Sequence, residues 1–82
     1  MDTIARTTKQ LGTAIRRYRR QKTLTQSNLG DLMHARQATV SKLESGEPGT
    51  QLGVLIDALS ALGLEIVIRP RSKASTDIGD LF

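Results

Sequence analysis

One histidine, His34, and no cysteine are the whole supply of imidazole and thiol in these 82 residues. A multi-histidine metal centre, a thiolate zinc site, a cysteine nucleophile and disulfides are therefore excluded. The eight acidic residues are dispersed, so His34 has no partner for general acid–base work. No enzyme activity, cofactor or metal is expected. What remains is recognition through charge and hydrogen bonds. From Met1 to Leu43 nine basic residues (Arg6, Lys9, Arg16, Arg17, Arg19, Arg20, Lys22, Arg36, Lys42) face only Asp2 and Asp31, a balance of +7. From Glu44 to Phe82 the balance is −3. A small domain with its positive charge in one half has the footprint of a polyanion binder. The basic stretch from Arg16 to Lys22 lacks the Trp, Phe and Leu that a membrane-surface helix buries, which favours nucleic acid over anionic lipid.

The elements that must carry this charge read as helices. The only aromatics are Tyr18 and Phe82, so the core is aliphatic and suits packed helices rather than a β-sandwich. Leu11, Ala14, Ile15 and Tyr18 follow helical spacing, predicting a helix that starts after Thr7 or Thr8 and runs to about Gln21. Thr25 is a natural N-cap for a short helix over Gln26 to Met33, with Leu29, Leu32 and Met33 as its apolar face. After His34, Ala35 and Arg36 comes a third helix, about Gln37 to Ser45, with Ala38, Val40 and Leu43 inward. Gly46 fits its left-handed terminator. Thr50 caps a fourth helix whose apolar residues are Leu52, Leu55, Ile56, Leu59 and Leu62, closed by Gly63. Leu64 to Arg69 alternates like a strand and Pro70 ends it. Residues 1–70 form one domain, and the polar stretch 71–82 is expected to be a disordered tail. No apolar run reaches the ~18–20 residues of a membrane span and no secretory signal is visible, so a cytoplasmic location is expected.

Two short helices joined by three residues make a helix-turn-helix arrangement. Leu24-Thr25-Gln26-Ser27-Asn28-Leu29-Gly30, followed by Gln37-Ala38-Thr39-Val40-Ser41-Lys42-Leu43-Glu44-Ser45-Gly46, resembles the Xre/Cro-type family of bacterial and phage repressors over about Leu11 to Leu62. The resemblance implies an all-α, phage-repressor-like domain of four to five helices. Gly30 stands where the family usually has Ala; both are small, as the helix crossing requires. His34 replaces the usual turn Gly, a position that often needs positive φ. Asn28 replaces the usual Glu, so the reciprocal half of a capping box is expected to be absent.

On this resemblance the third helix enters the major groove N-terminus first. Arg36 can then donate bidentately to guanine and Gln37 can pair with adenine. Ala38 and Thr39 offer methyl contacts to thymine, and Ser41 reaches bases farther along. Gln26 and Ser27, with Lys42, are assigned to phosphates, and Gln26 also braces Gln37. Arg19 and Glu44 are implied to form a structural ion pair.

Leu64 to Arg69 is the only strand expected, and a single strand cannot satisfy its own backbone. The economical solution is antiparallel pairing with a second copy across a two-fold axis, with Leu64, Ile66, Val67 and Ile68 as the dimerisation residues and Leu64, Ile66 and Ile68 facing the helices. Two recognition helices then address half-sites ~34 Å apart. A helical repressor core, one C-terminal strand and a tail ending in an aromatic residue look like the HipB-type antitoxins. That resemblance implies an operator-binding homodimer, nucleoid-associated in a bacterial cytoplasm. It would autoregulate its own operon and neutralise a HipA-type Ser/Thr kinase toxin, with Ile78, Leu81 and Phe82 as a partner-binding tail. A stand-alone Xre-type regulator is the alternative.

Overall fold

Thr7 opens the first helix with an extended backbone, and its hydroxyl accepts from the Gln10 N–H at 3.0 Å. From this start the computed structural model, which describes residues 2–71, builds α1 (Thr8–Gln21), α2 (Gln26–Leu32), α3 (Gln37–Glu44) and α4 (Leu52–Ala61). Ile15, Leu29, Val40 and Leu62, one from each of α1, α2 and α3 and one from the end of α4, are wholly buried and meet in one aliphatic core.

The helix ends show where side chains override expectation. Thr25 caps α2 by accepting from the Asn28 N–H at 2.9 Å, and Asn28 Oδ1 accepts from the Thr25 N–H at 3.0 Å. The capping box that Asn28 was expected to forfeit is therefore present. An amide oxygen serves as the acceptor in place of a longer carboxylate. At the fourth helix the expected cap is displaced: Thr50 donates its N–H to the Glu47 carbonyl at 3.2 Å. The N-cap position falls to Gln51, whose side chain makes no capping bond. His34 has φ 56° as the turn requires, and Thr23 joins it at φ 57° in the link from α1 to α2.

Three glycines set how closely the helices approach. A Cβ on Gly12 would lie 2.5 Å from the Glu44 carbonyl oxygen, so α1 rests directly on the backbone of α3. Gly46, at φ 81°, brings its backbone against Lys9 in the same way. Gly30 is not interchangeable with alanine, because a methyl there would sit 2.7 Å from the Ala35 carbonyl oxygen. Its absence lets the turn close until the Ala35 N–H donates to the Gly30 carbonyl at 2.8 Å.

Several apolar assignments differ from the helical wheel. Leu32, Leu52 and Ile56 are exposed: α2 buries Leu29 and Gly30, and the inner stripe of α4 runs through Leu55, Ala58, Leu59 and Leu62. Ala38 also points outward, with Val40, Leu43 and Glu44 forming the inner side of α3. Leu64 to Arg69 forms no ladder, and there is no strand among the described residues. A ladder needs a second strand, and the other described residues offer none. Leu64 packs on the core, whereas Ile66, Val67 and Ile68 are 49%, 68% and 94% exposed. Ile66 and Val67 border a groove of about 760 Å³ whose other walls include Ile4, Ala14 and Tyr18.

Gly12→Ala and Gly30→Ala are each expected to destabilise the fold by about 1–3 kcal/mol through overpacking, although alanine is the better helix former by ~1 kcal/mol. Urea denaturation checks this. An unchanged or raised midpoint for Gly30→Ala would show that the turn relaxes around a methyl.

Candidate nucleic-acid interface

A buried ion pair anchors the exposed face. Arg19, near the end of α1, donates from Nε to Glu44 Oε2 at 2.6 Å and from Nη2 to Oε1 at 3.0 Å. Its Nη1 donates to the Leu24 carbonyl at 2.8 Å. Both residues are 7% exposed. Burying two charges costs several kcal/mol unless geometry and hydrogen bonds offset it. Here the guanidinium fork is bidentate, and among the described residues no buried side-chain polar atom lacks a partner. The hydrogen bond that Arg19 donates to Glu44 raises the Arg19 pKa above its ordinary value, against the desolvation that lowers it. Because the folded value is the higher one, this contribution is present at neutral pH and is lost as pH rises through the arginine range.

Glu44 also passes the order outward. Its Oε1 accepts from Gln26 Nε2 at 3.2 Å, and Gln26 Oε1 in turn accepts from Gln37 Nε2 at 2.6 Å. A carboxylate can only accept, so Gln26 must turn its NH2 inward and its carbonyl oxygen outward. Gln37 must then donate to Gln26. That leaves Gln37 with a free carbonyl oxygen and one free N–H, the acceptor–donor pair that an adenine edge requires.

The remaining assigned residues fall around this relay. Arg36 is the N-cap of α3, and its side chain makes no capping bond. Arg36, Gln37, Ala38, Ser41 and Lys42 are exposed, as is Ser27 on α2, while Gln26 is half-buried. Thr39 is also half-buried, which leaves it the least accessible of the five residues assigned to bases. Lys42 lies more than one turn beyond Gln37. Ile78, Leu81 and Phe82 lie outside the described residues. Sequence reasoning missed the Leu24 carbonyl as the third acceptor for Arg19, and the Gln26–Glu44 link. Neither leaves a mark in spacing or residue type. Among the described residues no group of His, Cys, Asp and Glu could hold a metal ion, and no helix is long and apolar enough to cross a membrane.

Removing one partner of the buried pair leaves an uncompensated charge, so Glu44→Gln and Arg19→Met should each cost about 3–5 kcal/mol. Denaturant titration at neutral pH measures this. A loss below ~1 kcal/mol in both variants would mean that water reaches the pair.

The architecture has close counterparts among solved structures. A HipB–O4 20mer complex matches with a TM-score of 0.80 at 27% identity, covering 87% of this chain and 100% of that chain. A HipA–HipB–O2–O3 complex matches with the same TM-score, identity and coverage, as does a structure described as MDT Protein. The chain has no match among the curated proteins. Residues 10–70 match the family described as "Helix-turn-helix domain", and the chain belongs to that family.

Proposed function

We propose that the chain is a sequence-specific DNA-binding repressor that acts as a homodimer and as the antitoxin of a toxin–antitoxin pair. It represses its own operon and holds a HipA-type Ser/Thr kinase toxin inactive in the cytoplasm of a bacterial cell. The observation that carries the DNA-binding part is the relay from Glu44 through Gln26 to Gln37. It presets the readout amide before any ligand arrives, which lowers the ordering cost of binding. Arg36, Gln37, Ala38, Thr39 and Ser41 read base edges; Gln26, Ser27 and Lys42 position the helix on phosphates. The similarity to HipB bound to O4 and to HipA–HipB–O2–O3 supports operator and toxin as partners.

Dimerisation is assigned to Leu64, Ile66, Val67 and Ile68. The exposure of Ile66, Val67 and Ile68, the first two beside an open groove, fits a segment that pairs with its counterpart in a second copy, completing a ladder that the described residues do not form. Ile78, Leu81 and Phe82 are assigned to contact with the toxin.

Arg36→Ala and Gln37→Ala should each cost about 1–3 kcal/mol on the specific site and relax preference at one base position. Lys42→Ala should weaken all duplexes alike. Gel-shift or anisotropy titrations on the chain's own upstream DNA and on random DNA separate the two classes. Equal losses on both duplexes for Arg36→Ala would rule out base reading by that residue.

Ile66→Pro, or truncation after Gly63, should yield monomers that keep the helical circular dichroism but lose tight operator binding. Sedimentation equilibrium decides. A truncated chain that still sediments as a dimer would overturn the strand-pairing assignment. Co-purification with the product of the adjacent gene tests the toxin: a kinase-like partner supports the antitoxin reading, and its absence leaves a stand-alone regulator.

A further inference from the structure

The outer side of α1 carries charge that the relay and the ion pair leave unused. α1 holds Lys9, Arg16, Arg17, Arg19 and Arg20 and no acidic residue. Of these, Arg19 alone has a carboxylate partner among the described residues. Lys9, Arg16, Arg17 and Arg20 are exposed. Arg16 and Arg20 stand one turn apart, a spacing at which like charges repel. The helix dipole favours cations only in the last turn. It therefore accounts for Arg20 and not for Arg16.

Helix geometry says where this charge points. α1 meets α3 along Gly12 and Arg19, and its core side carries Leu11, Ile15 and Tyr18. At 3.6 residues per turn, Arg16 lies about 40° and Arg20 about 80° round from Gly12, away from Ile15. On α3, Val40 and Leu43 face the core. Beyond Glu44, in the opposite sense, come Gln37 and Ser41, both exposed. The surface that leaves the core across the Arg19–Glu44 contact thus has Arg16 and Arg20 on one bank and Gln37 and Ser41 on the other. Arg17 lies about 140° round and faces away from both.

We propose that Arg16 and Arg20 bind backbone phosphates of the same duplex that α3 reads, a second phosphate-contact set on α1 outside the two helices of the motif. This rests on the DNA-binding reading above. Phosphate contacts fix register without carrying sequence information, so the two arginines would set how far α3 reaches into the groove while Gln37 and Arg36 choose the base. The pair also belongs to the same rigid body as α3, since Gly12 leaves no side chain between the two helices.

The test uses the full-length chain and its Arg16→Gln, Arg20→Gln and Arg17→Gln variants. Affinity is measured over a range of salt concentrations on a duplex from the chain's own upstream region and on a random duplex of equal length. Arg16→Gln and Arg20→Gln should each flatten the log–log salt slope by about one unit per protomer bound, equally on both duplexes, with the preference between duplexes unchanged. Arg17→Gln, with the same lost charge, should keep the wild-type slope. Thermal melts within error of wild type exclude misfolding at these exposed sites. If wild type binds and all three variants share one slope, the phosphate assignment is overturned while the DNA-binding reading stands. If wild type binds neither duplex, that reading fails and this assignment falls with it.

Discussion

The bidentate contact between Arg19 and Glu44 is the interaction on which the rest of the structure depends. It joins α1 to α3 at the one place among the described residues where two charges leave water, and the third bond to Leu24 pins the link into α2. Hydrophobic burial alone would let short helices of 7 and 8 residues slide over an aliphatic core. A guanidinium fork with three fixed acceptors admits one arrangement. The pair is thus less a source of net stability than a constraint on register, the use for which buried ion pairs are best attested.

Much of this fold is legible in the residues. The α1 stripe of Leu11, Ala14, Ile15 and Tyr18, the caps Thr7 and Thr25, and the terminator Gly46 each act through a few neighbours in the chain, and local chemistry fixes them. Positive φ at His34 follows from its place in the turn. What stayed hidden depends on distance in space. Asn28 reads as a missing cap until its amide is seen to reach the Thr25 N–H. Thr23 gives no hint of positive φ, because the demand comes from the angle between α1 and α2. Gly30 reads as a small residue, but the carbonyl of Ala35 decides that it must be the smallest.

Burial shows the same limit. Leu32, Leu52 and Ile56 satisfy a helical period, but α2 and α4 are short and each buries only a narrow stripe. Ala38, small enough for either side of α3, is placed outward by the inward turn of Glu44. For the candidate site, the exposed residues of α3 were legible from the motif's spacing. The bond from Gln26 to Glu44 was not, since nothing in a separation of 18 residues announces it. Leu64 to Arg69 has the alternation of a strand, and the other described residues supply no second edge that would turn the pattern into a ladder.

The hydrogen-bond relay has a direction, and direction makes the face asymmetric to change. Every donor in it points toward Glu44, so its inner members are set by the carboxylate, and its outermost, Gln37, keeps its carbonyl oxygen out of the relay. On the proposed reading, substitution at Gln37 or Arg36 would alter which base is recognised and leave the Gln26–Glu44 bond intact. Substitution at Gln26 reverses or removes a bond on both sides and is felt in the core. If α3 reads DNA as proposed, new operator sequences are reachable through the outer residues without disturbing the bonds among Gln26, Glu44 and Arg19.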